Sequence, residues 1–539
     1  SSPSAIIGAS DGSRTLLVLD EAQELHPRHA TGVAELLDEA SPGSSSVLAV
    51  SRSPSPFGLP EGFSEFKLEG LALKHAGSLL PSDTDTATAR SVAEALGGHP
   101  LALRLWLPGE EVPELGEAVQ EYVESTVMHR LSDEGTGTLD EFCISPSSLL
   151  VSELFEGEGA NELDDSAILR WSGVMAEPHH LIRNVRRGSW SDEQSNVLHA
   201  QAAGRWATRQ GARARRMEGH HMVHSGETDA EWISEHIQAI AEQDSAAAAV
   251  LLEQAVSLSE DESIREAAVD LALERGEAEI AESHIESLSV GVGRKLRSAR
   301  LARLRGDLRS AEDIEASAMA EMTPAEHTKA AIASLVRRYD DRLPGRIDRQ
   351  LAQELTRAAD AVDVSALPES ERSAGSLALD LIRHGIALEI DDVSAAAKAH
   401  SALESAMGPE HPHMAVLDLR ARLSSRTDGS ASAETLSLAR SLIESREDLS
   451  ERIRLIHAAL ESTDSHPDWL VEAHASVAAM PLREDLAMHR RLCAQRWYWR
   501  GVLEPERRLS HWREAVSRFR MAECSAAATE LIGRMARAI

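Results

Sequence analysis

The first apolar run of the chain is "TLLVLDEAQ" at 15–23, where apolar residues lead directly into two acids. A continuous run of branched apolar residues predicts a strand buried on both faces. The pattern "HATGVAELLDEA" at 29–40 predicts an amphipathic helix, and "VLAVS" at 47–51 predicts a second buried strand. A strand, a helix and a strand in such close succession indicate a βαβ unit with a parallel sheet.

After residue 56 the apolar spacing becomes helical and remains so. Residues 68–108 predict a small helical bundle. Residues 112–200 predict shorter helices and, in "VMAEPHHLIRNVRRGSW" at 174–190, a β-hairpin. From 200 to the end the pattern is almost entirely helical.

The long helical part contains an internal repeat. "LALERGEAEIAE" and "LARLRGDLRSAE" both fit L-A-x-x-R-G-[acid]-x-x-x-A-E, and "HMVHSGETDAEW" repeats the glycine-acid turn more loosely. The glycine is expected to end the first helix of a pair in the left-handed region, and the second alanine to lie where two helices pack closely. These positions are Gly276, Gly306, Ala281 and Ala311. The repeat predicts a tetratricopeptide-like solenoid, which weakens to helical hairpins beyond residue 330.

Charge and cysteine content limit the classes of function. The 88 acids and 55 bases give a net charge of −33, which argues against a chain that mainly grips phosphate backbones. A single small basic module is not excluded. The three cysteines are far apart and show no C-x-x-C spacing, so we expect neither a disulfide framework nor a zinc site built on them.

Targeting signals are absent from the sequence as given. No apolar run has the length of a membrane span, and the N-terminus lacks a secretory pattern, so a cytoplasmic location is expected. The chain begins at Ser1 instead of a methionine, which indicates a fragment or a processed product.

The strand that ends in Asp20 and Glu21 has the Walker B arrangement of P-loop NTPases. In that arrangement Asp20 holds a Mg²⁺-bound water at the carboxyl end of the strand, and Glu21 orients or deprotonates the attacking water. The alternative is a strand followed by the acidic start of a solvated helix.

Two further sequence motifs follow the Walker B strand along the chain. The second strand runs into "SRS", which places Arg52 where such sheets carry a γ-phosphate sensor, although taken alone an arginine that caps a loop is the better explanation. "LGGHPLALRLW" at 96–106 comes next. A turn at Gly97 and Gly98, followed by a helix that starts at Pro100, accounts for this stretch structurally.

Together the three pieces resemble the STAND class of signal-transduction ATPases, which are related to the NB-ARC proteins. The resemblance implies ATP or ADP with Mg²⁺ as cofactors, and a winged helix within 112–200. It also implies that Gly98, Pro100 and Leu101 lie against the adenine and ribose.

The same resemblance implies a histidine of the winged helix that contacts the diphosphate of ADP. The matching piece is "PHHLIRN", which places His179 at the phosphate-contacting position. His180 replaces the usual acid there and Pro178 the usual methionine. The alternative is a pair of surface histidines on a hairpin.

The phosphate-binding loop of the family is missing. No G-x-x-x-x-G-K-[ST] occurs in the sequence, and "GASDGSR" at 8–14 has neither the lysine nor a preceding strand. Without that cradle of backbone N–H groups, phosphate affinity collapses. The family carries the loop upstream of the Walker B strand, so ATP hydrolysis is expected only if such a loop precedes Ser1.

Three other patterns have structural explanations. His220, His221 and His224 include an i, i+4 pair that could bind zinc, but no third acidic or cysteine ligand is suitably spaced, so packing is favoured. The arginine run at 204–216 is expected to pair with surrounding acids instead of nucleic acid. The aromatic stretch "AQRWYWRG" at 494–501 is expected to pack the last helices, although an exposed version would bind a partner.

The sequence therefore predicts an α/β P-loop NTPase remnant followed by an all-α lid, a winged helix and an α-solenoid. The expected domains are 1–55, 56–111, 112–200 and 201–539, in that order. The expected function is a regulatory ATPase switch in which the solenoid senses a protein or small-molecule ligand and the nucleotide state sets homo-oligomerisation. The alternatives are an ATPase-coupled transcriptional regulator that binds DNA, which no basic recognition helix supports, and an interaction scaffold with a degenerate ATPase domain.

Overall fold

The computed structural model describes most of the chain, and the statements below concern that part. The described residues are 16–40, 46–51, 63–112, 119–155, 157–345, 347–424, 431–463, 465–478, 480, 482 and 487–538. They are mostly helical, with five short strands.

The described chain divides into two compact units. The middle unit consists of the described parts of Asp20–Ala34 and Val50–Ile264. The C-terminal unit consists of the described parts of Ser1–Leu19, Glu35–Ala49 and Arg265–Ile539. The four domain boundaries expected from the sequence stay predictions.

Two parallel strands open the described chain. Strand β1 (Leu16–Leu19) pairs with β2 (Ser46–Ala49), and helix α1 (Ala30–Ala40) connects them in sequence, so the predicted parallel pairing is confirmed. The prediction that both strands are buried on both faces is wrong, since Leu16 is 60% and Val18 51% exposed. Among the described residues each strand pairs only with the other, so the run lacks the covering layers that a buried parallel strand needs. These strands do not show a P-loop sheet.

The middle unit begins with short helices whose starts are set by local capping. Asp85 accepts hydrogen bonds from the backbone N–H groups of Ala87 and Thr88, and Ser132 accepts one from the N–H of Gly135. The helices are α2 (Leu73–Ala76), α3 (Thr86–Ala95), α4 (Pro100–Leu105), α5 (Val119–Tyr122) and α6 (Asp133–Ile144).

A three-stranded antiparallel sheet follows in the middle unit. Its order is β3 (Leu149–Leu150), β5 (Met175–Pro178), β4 (Leu169–Ser172), and helix α7 (Ala160–Asp165) precedes β4. The hairpin predicted over 174–190 is corrected: β4 and β5 form it. The stretch after Pro178 is helical because its apolar residues recur at helical spacing.

The rest of the middle unit is helical, and one apolar core holds it together. Trp106, Phe142, Ile182 and Met217 are at most 2% exposed and belong to one cluster that runs from residue 76 to residue 217. The helices are α8 (His180–Gly188), α9 (Asp192–Ala207), α10 (Ala212–His224) and α11 (Ala230–Leu258), the last interrupted by non-helical backbone at Asp244.

The C-terminal unit is a succession of helices in which chain neighbours pack on one another, consistent with the predicted α-solenoid. Its helices are α12 (Glu262–Arg275), α13 (Ala278–Glu286), α14 (Val292–Leu304), α15 (Leu308–Met319), α16 (Pro324–Asp340), α17 (Arg349–Asp360), α18 (Glu369–Glu389), α19 (Val393–Met407), α20 (Pro412–Ser424), α21 (Ala433–Ser445), α22 (Leu449–Glu461), α23 (Asp468–Ala478), α24 (Ala487–Leu503), α25 (Arg508–Met521) and α26 (Ser525–Ala538). No described helix combines the length and apolar content needed to cross a bilayer.

The predicted repeat turns are confirmed. Gly276 and Gly306 lie in the left-handed region with φ of 76° and 83°. In both turns the N–H of the following acid bonds, at 2.9 Å, to the carbonyl five residues earlier, which is the closing bond of a Schellman motif. Ala281 and Ala311 are buried, as the close packing of paired helices requires.

Two later hairpins close in the same way without a glycine. Asp391 and Glu523 have φ of 61° and 59°, and the residue after each bonds to the carbonyl five positions earlier, at 2.9 and 2.8 Å. The glycine-based pattern could not find these turns, so the hairpin geometry extends further along the chain than the sequence repeat.

The aromatic stretch near the C-terminus packs the last helices, as expected. Tyr498 and Trp499 are buried, and the indole N–H of Trp512 donates to the backbone oxygen of Tyr498 at 3.1 Å. The three cysteines of the chain are buried and form no disulfide.

Candidate functional site

The two acids after strand β1 have different surroundings. Asp20 is exposed, and its Oδ1 accepts a hydrogen bond from the N–H of Glu21 at 2.9 Å. Glu21 lies in the left-handed region, with φ of 53° and ψ of 40°. That conformation costs a residue with a side chain about 1–2 kcal/mol. The turn leaves the Asp20 carboxylate in solvent and the Glu21 carboxylate partly buried.

Both carboxylate oxygens of Glu21 are engaged within the middle unit. Oε1 accepts from the Arg170 guanidinium at 3.1 Å. Oε2 lies 3.3 Å from Nε2 of His180 and accepts from the Gln23 amide at 2.5 Å. In this conformation Glu21 is held by the β4–α8 segment.

Arg170 connects Glu21 to a second acid. Its Nε donates to Oε1 of Glu177 at 2.8 Å, and Arg183 lies 3.5 Å from the other oxygen of Glu177. Partial burial lowers the pKa of Arg170, but the Glu177 and Glu21 carboxylates outweigh it, so the pKa of the guanidinium is raised. Because these side chains are partly solvent-exposed, each pair stabilises by only about 0.5–1 kcal/mol.

His179 lies immediately before α8 and is fixed there by its backbone. Its N–H donates to the carbonyl of Ile168 at 2.9 Å. Burial lowers the pKa of its imidazole, and the positive charges of Arg170 and Arg104 lower it further. An imidazole that feels the charges of two guanidinium groups is in an environment that suits an anion. The predicted contact of His179 with a diphosphate stays a prediction.

The glycine-proline stretch has the structure expected from its local chemistry. Gly97 and Gly98 are both left-handed, with φ of 58° and 66°, and a Cβ on Gly98 would lie 2.2 Å from the carbonyl oxygen of Leu71. Pro100 starts α4, and Leu101 packs against the core of the middle unit. The structural explanation of this stretch is therefore sufficient, and its contact with adenine and ribose stays a prediction. Arg104, in the same helix, supplies the charge near His179.

Of the two expected cofactors, Mg²⁺ has a suitable ligand among the residues present, whereas the nucleotide phosphates do not. An exposed carboxylate such as that of Asp20 suits water-mediated Mg²⁺ binding, since Mg²⁺ retains most of its waters in proteins. The sequence offers no phosphate cradle for the nucleotide, and Arg52 lies outside the described residues. We therefore assign no reaction step to a nucleotide.

Sequence reasoning missed two partners of the site. Arg170 belongs to no motif, and Arg104 lies in "LGGHPLALRLW" without an assigned role; only the fold brings them near the acids and the histidine. His180 was noted as the residue that replaces an acid, and its contact with Glu21 explains that replacement: an acid there would repel the Glu21 carboxylate.

The arginine run at 204–216 does not present a free basic surface. Arg205 lies 2.7 Å from Glu141, Arg213 lies 2.7 Å from Glu153, and Arg215 pairs with Glu218. The predicted pairing with acids is confirmed, and it removes the main basis for nucleic-acid binding at this stretch. Arg216 and Asp244 form a further pair at 2.9 Å.

Comparisons with known proteins identify no family for the chain and one weak structural similarity. No family model and no curated protein matches the chain. One solved structure with which it aligns is a Signal Transduction ATPase with Numerous Domains (STAND) protein with a tetratricopeptide repeat sensor from Pyrococcus horikoshii, at 12% identity and a TM-score of 0.39, over 97% of this chain and 71% of that one. A similarity of that size carries no argument about fold or function.

Proposed function

We propose that the chain is the regulatory part of a STAND-type ATPase switch, in which helical repeats sense a ligand and the segment from β4 to α8 controls the Walker B acids. The observation that carries the proposal is the double contact of Glu21 with Arg170 and His180, next to His179. The order of the sequence motifs supports it independently.

Each residue has a defined task in this proposal. Asp20 orients a water on Mg²⁺, the ion that compensates phosphate charge when nucleotide is bound. Glu21 activates the attacking water only after Arg170 and His180 release it. His179, which feels the charges of Arg170 and Arg104, contacts the nucleotide phosphates and so couples the segment to the nucleotide state.

Ligand binding controls the switch through differential affinity. A ligand of the helical repeats shifts the equilibrium only if it binds the released state more tightly than the held state. Because Glu21 is held by interactions worth about 1–2 kcal/mol in total, a ligand with a tenfold preference suffices to release it.

The test uses the longest natural form of the protein. Its upstream sequence is expected to contain a strand followed by G-x-x-x-x-G-K-[ST], and the purified protein to retain ADP or ATP. Asp20→Asn should abolish phosphate release while leaving the fold intact, and His179→Ala should weaken ADP retention. If the natural protein has no such loop and retains no nucleotide, the proposal is overturned.

The interaction scaffold with a degenerate ATPase domain is the second candidate. The exposure of Leu16 and Val18 in β1, a strand that pairs only with β2 among the described residues, favours it. A scaffold is indifferent to Asp20→Asn, so equal ligand binding by that variant and by the unmodified protein, in the presence and absence of nucleotide, would favour the scaffold.

A further inference from the structure

Four histidines come together in the middle unit. His199 is on α9, and His220, His221 and His224 are on α10, which packs against it. The ring centroids of His220 and His224 are 4.2 Å apart, and that of His199 is 5.1 Å from His221 and 5.0 Å from His224. The sequence showed only the three histidines of α10, so the missing partner on a second helix is supplied by the fold.

The ring nitrogens of three of them converge. One nitrogen each from His199, His220 and His221 lies within 4.8 Å of the others. The Nδ1 atoms of His199 and His221 are 2.9 Å apart and share a hydrogen bond. Two nitrogens that bind one tetrahedral Zn²⁺ at about 2.0–2.1 Å are roughly 3.3 Å apart. Small rotations of the three rings therefore bring them to bonding distance of one ion, which would replace the shared proton.

Burial of the cluster acts against protonation of the imidazoles. It lowers the pKa of His199 to about 4 and that of His221 to about 3. The same cause lowers the pKa of His220 well below its usual value. Neutral imidazole is the form that binds a metal ion. The positive charge of Arg187 opposes a cation, so the three nitrogens must bind the ion against it; the Nε of Arg187 donates to the carbonyl oxygen of Cys143 at 2.6 Å, which fixes the position of the guanidinium.

The surrounding backbone holds the cluster in place. Gly219, next to His220, lies so close to α11 that an added Cβ would be 2.6 Å from Leu251 and 2.6 Å from the Trp232 ring. Side chains on a helix packed this tightly keep their positions, which lowers the ordering cost of binding an ion.

The cluster is accessible from a cavity. The cavity measures about 730 Å³, and its lining includes His199, His220 and His224 together with Arg183, Arg187, Arg216 and Asp244. His221 does not line it, so an ion would reach the cluster from the side of His199 and His220, where the space is large enough for a water ligand. Three protein ligands with one open position are the arrangement of reactive zinc sites, whereas structural sites are closed by four.

We propose that His199, His220 and His221 form a binding site for one divalent transition-metal ion of the zinc class, with the remaining position open to the cavity. Nitrogen-only ligands select Zn²⁺, Co²⁺, Ni²⁺ or Cu²⁺ over Mg²⁺ and Ca²⁺, which prefer oxygen. The proposal does not depend on the ATPase function, because none of these residues belongs to the Glu21 site.

The experiment measures metal binding by the untagged 539-residue chain. Zn²⁺ is titrated in competition with a chromophoric chelator, and Co²⁺ is added separately to record its visible absorption. The expected result is one Zn²⁺ per chain at submicromolar Kd, and Co²⁺ bands with the intensity of four-coordinate nitrogen ligation. Mg²⁺ at millimolar concentration should not compete.

Variants locate the site. His199→Gln and His220→Gln are each expected to weaken Zn²⁺ binding at least about tenfold and to change the Co²⁺ spectrum. The matched control is His75→Gln, an exposed histidine of α2, which should bind as the unmodified chain does. Circular dichroism checks the fold of each variant.

A second measurement is used if a cluster variant does not fold. The unmodified chain is then treated with diethyl pyrocarbonate, and Zn²⁺ is expected to protect His199 and His220 from carbethoxylation. Unchanged affinity in both cluster variants, weak binding only, or absence of protection would overturn the proposal.

Discussion

The carboxylate of Glu21 lies 3.1 Å from the guanidinium of Arg170, although 149 positions separate the two residues. Glu21 keeps a left-handed backbone at the place where this contact forms. Strained residues persist where surrounding interactions over-determine them, and such positions are common at functional sites. Glu21 has both a strained backbone and a contact with a distant segment, whereas Asp20 is exposed. A conformational change would therefore act on Glu21.

The Glu21–Arg170 contact is expected to have a measurable coupling energy. A double-mutant cycle with Glu21→Gln and Arg170→Met should give about 0.5–1 kcal/mol, because both side chains are partly exposed. The cycle removes the separate contribution of Glu177 to Arg170. Urea unfolding monitored in the middle unit provides the measurement.

A more exposed pair supplies the control for that cycle. Arg90 and Glu94 are 2.9 Å apart on one face of α3, with side-chain exposures of 74% and 37%. Their coupling should be no more than about 0.5 kcal/mol. A Glu21–Arg170 coupling indistinguishable from zero would show that Arg170 does not hold Glu21.

The sequence predicted the strand pairing but not the surroundings of the strands. The apolar runs of β1 and β2 correctly indicated a parallel pair, since the connection between them contains a helix. Burial depends on which layers cover a sheet, and that information is not in the strand itself. Contacts such as Glu21 with Arg170 are missed for the same reason: they depend on distant segments.

The two adjacent glycines before α4 are expected to differ in their tolerance of a side chain. Gly97→Ala meets open space and should cost about 1–2 kcal/mol, the price of a left-handed residue. Gly98→Ala adds a collision with the carbonyl of Leu71 and should cost about 3 kcal/mol or more. Thermal unfolding of the two variants checks the order, and equal losses would contradict the geometry of the turn.

The repeat turns could be predicted where glycine marks them and not elsewhere. The turns at Gly276 and Gly306 can be recognised in the sequence, because only glycine adopts their conformation without cost. Asp391 and Glu523 adopt it with a side chain, so nothing local distinguishes them from helical residues. The pattern therefore weakens beyond residue 330 although the hairpins continue.

Replacing glycine with alanine should destabilise the protein at one position and stabilise it at another. Gly306→Ala is expected to destabilise by about 1–2 kcal/mol, because its φ of 83° is unfavourable for alanine although no neighbour obstructs it. Gly204→Ala, in the interior of α9 and also facing open space, should stabilise by about 0.5–1 kcal/mol. Chemical denaturation of both variants tests the pair. Stabilisation by Gly306→Ala would contradict the Schellman closure.

A partly buried acid at the end of α22 should make the stability of the C-terminal unit depend on pH. Burial and the negative charge of Glu389 raise the pKa of Glu461 to about 7, against the opposing effect of Arg342. A carboxyl group whose pKa is higher in the folded state stabilises that state at low pH, where it is protonated in both states. Its contribution is therefore complete below about pH 4.5 and is lost as the pH rises to about 7.

Glu461→Gln should remove this dependence. The variant is expected to exceed the unmodified chain in stability by about 1–3 kcal/mol at pH 8 and to match it at pH 4, measured as thermal unfolding across that range. Glu389→Gln is the matched control with the opposite sign. Its uncharged amide oxygen weakens the charge-assisted hydrogen bonds from Tyr339 at 2.7 Å and Arg342 at 2.5 Å, so it should destabilise at pH 8. If Glu461→Gln were the less stable protein at pH 8, Glu461 would have to be ionised and stabilising in the fold, contrary to its burial beside Glu389.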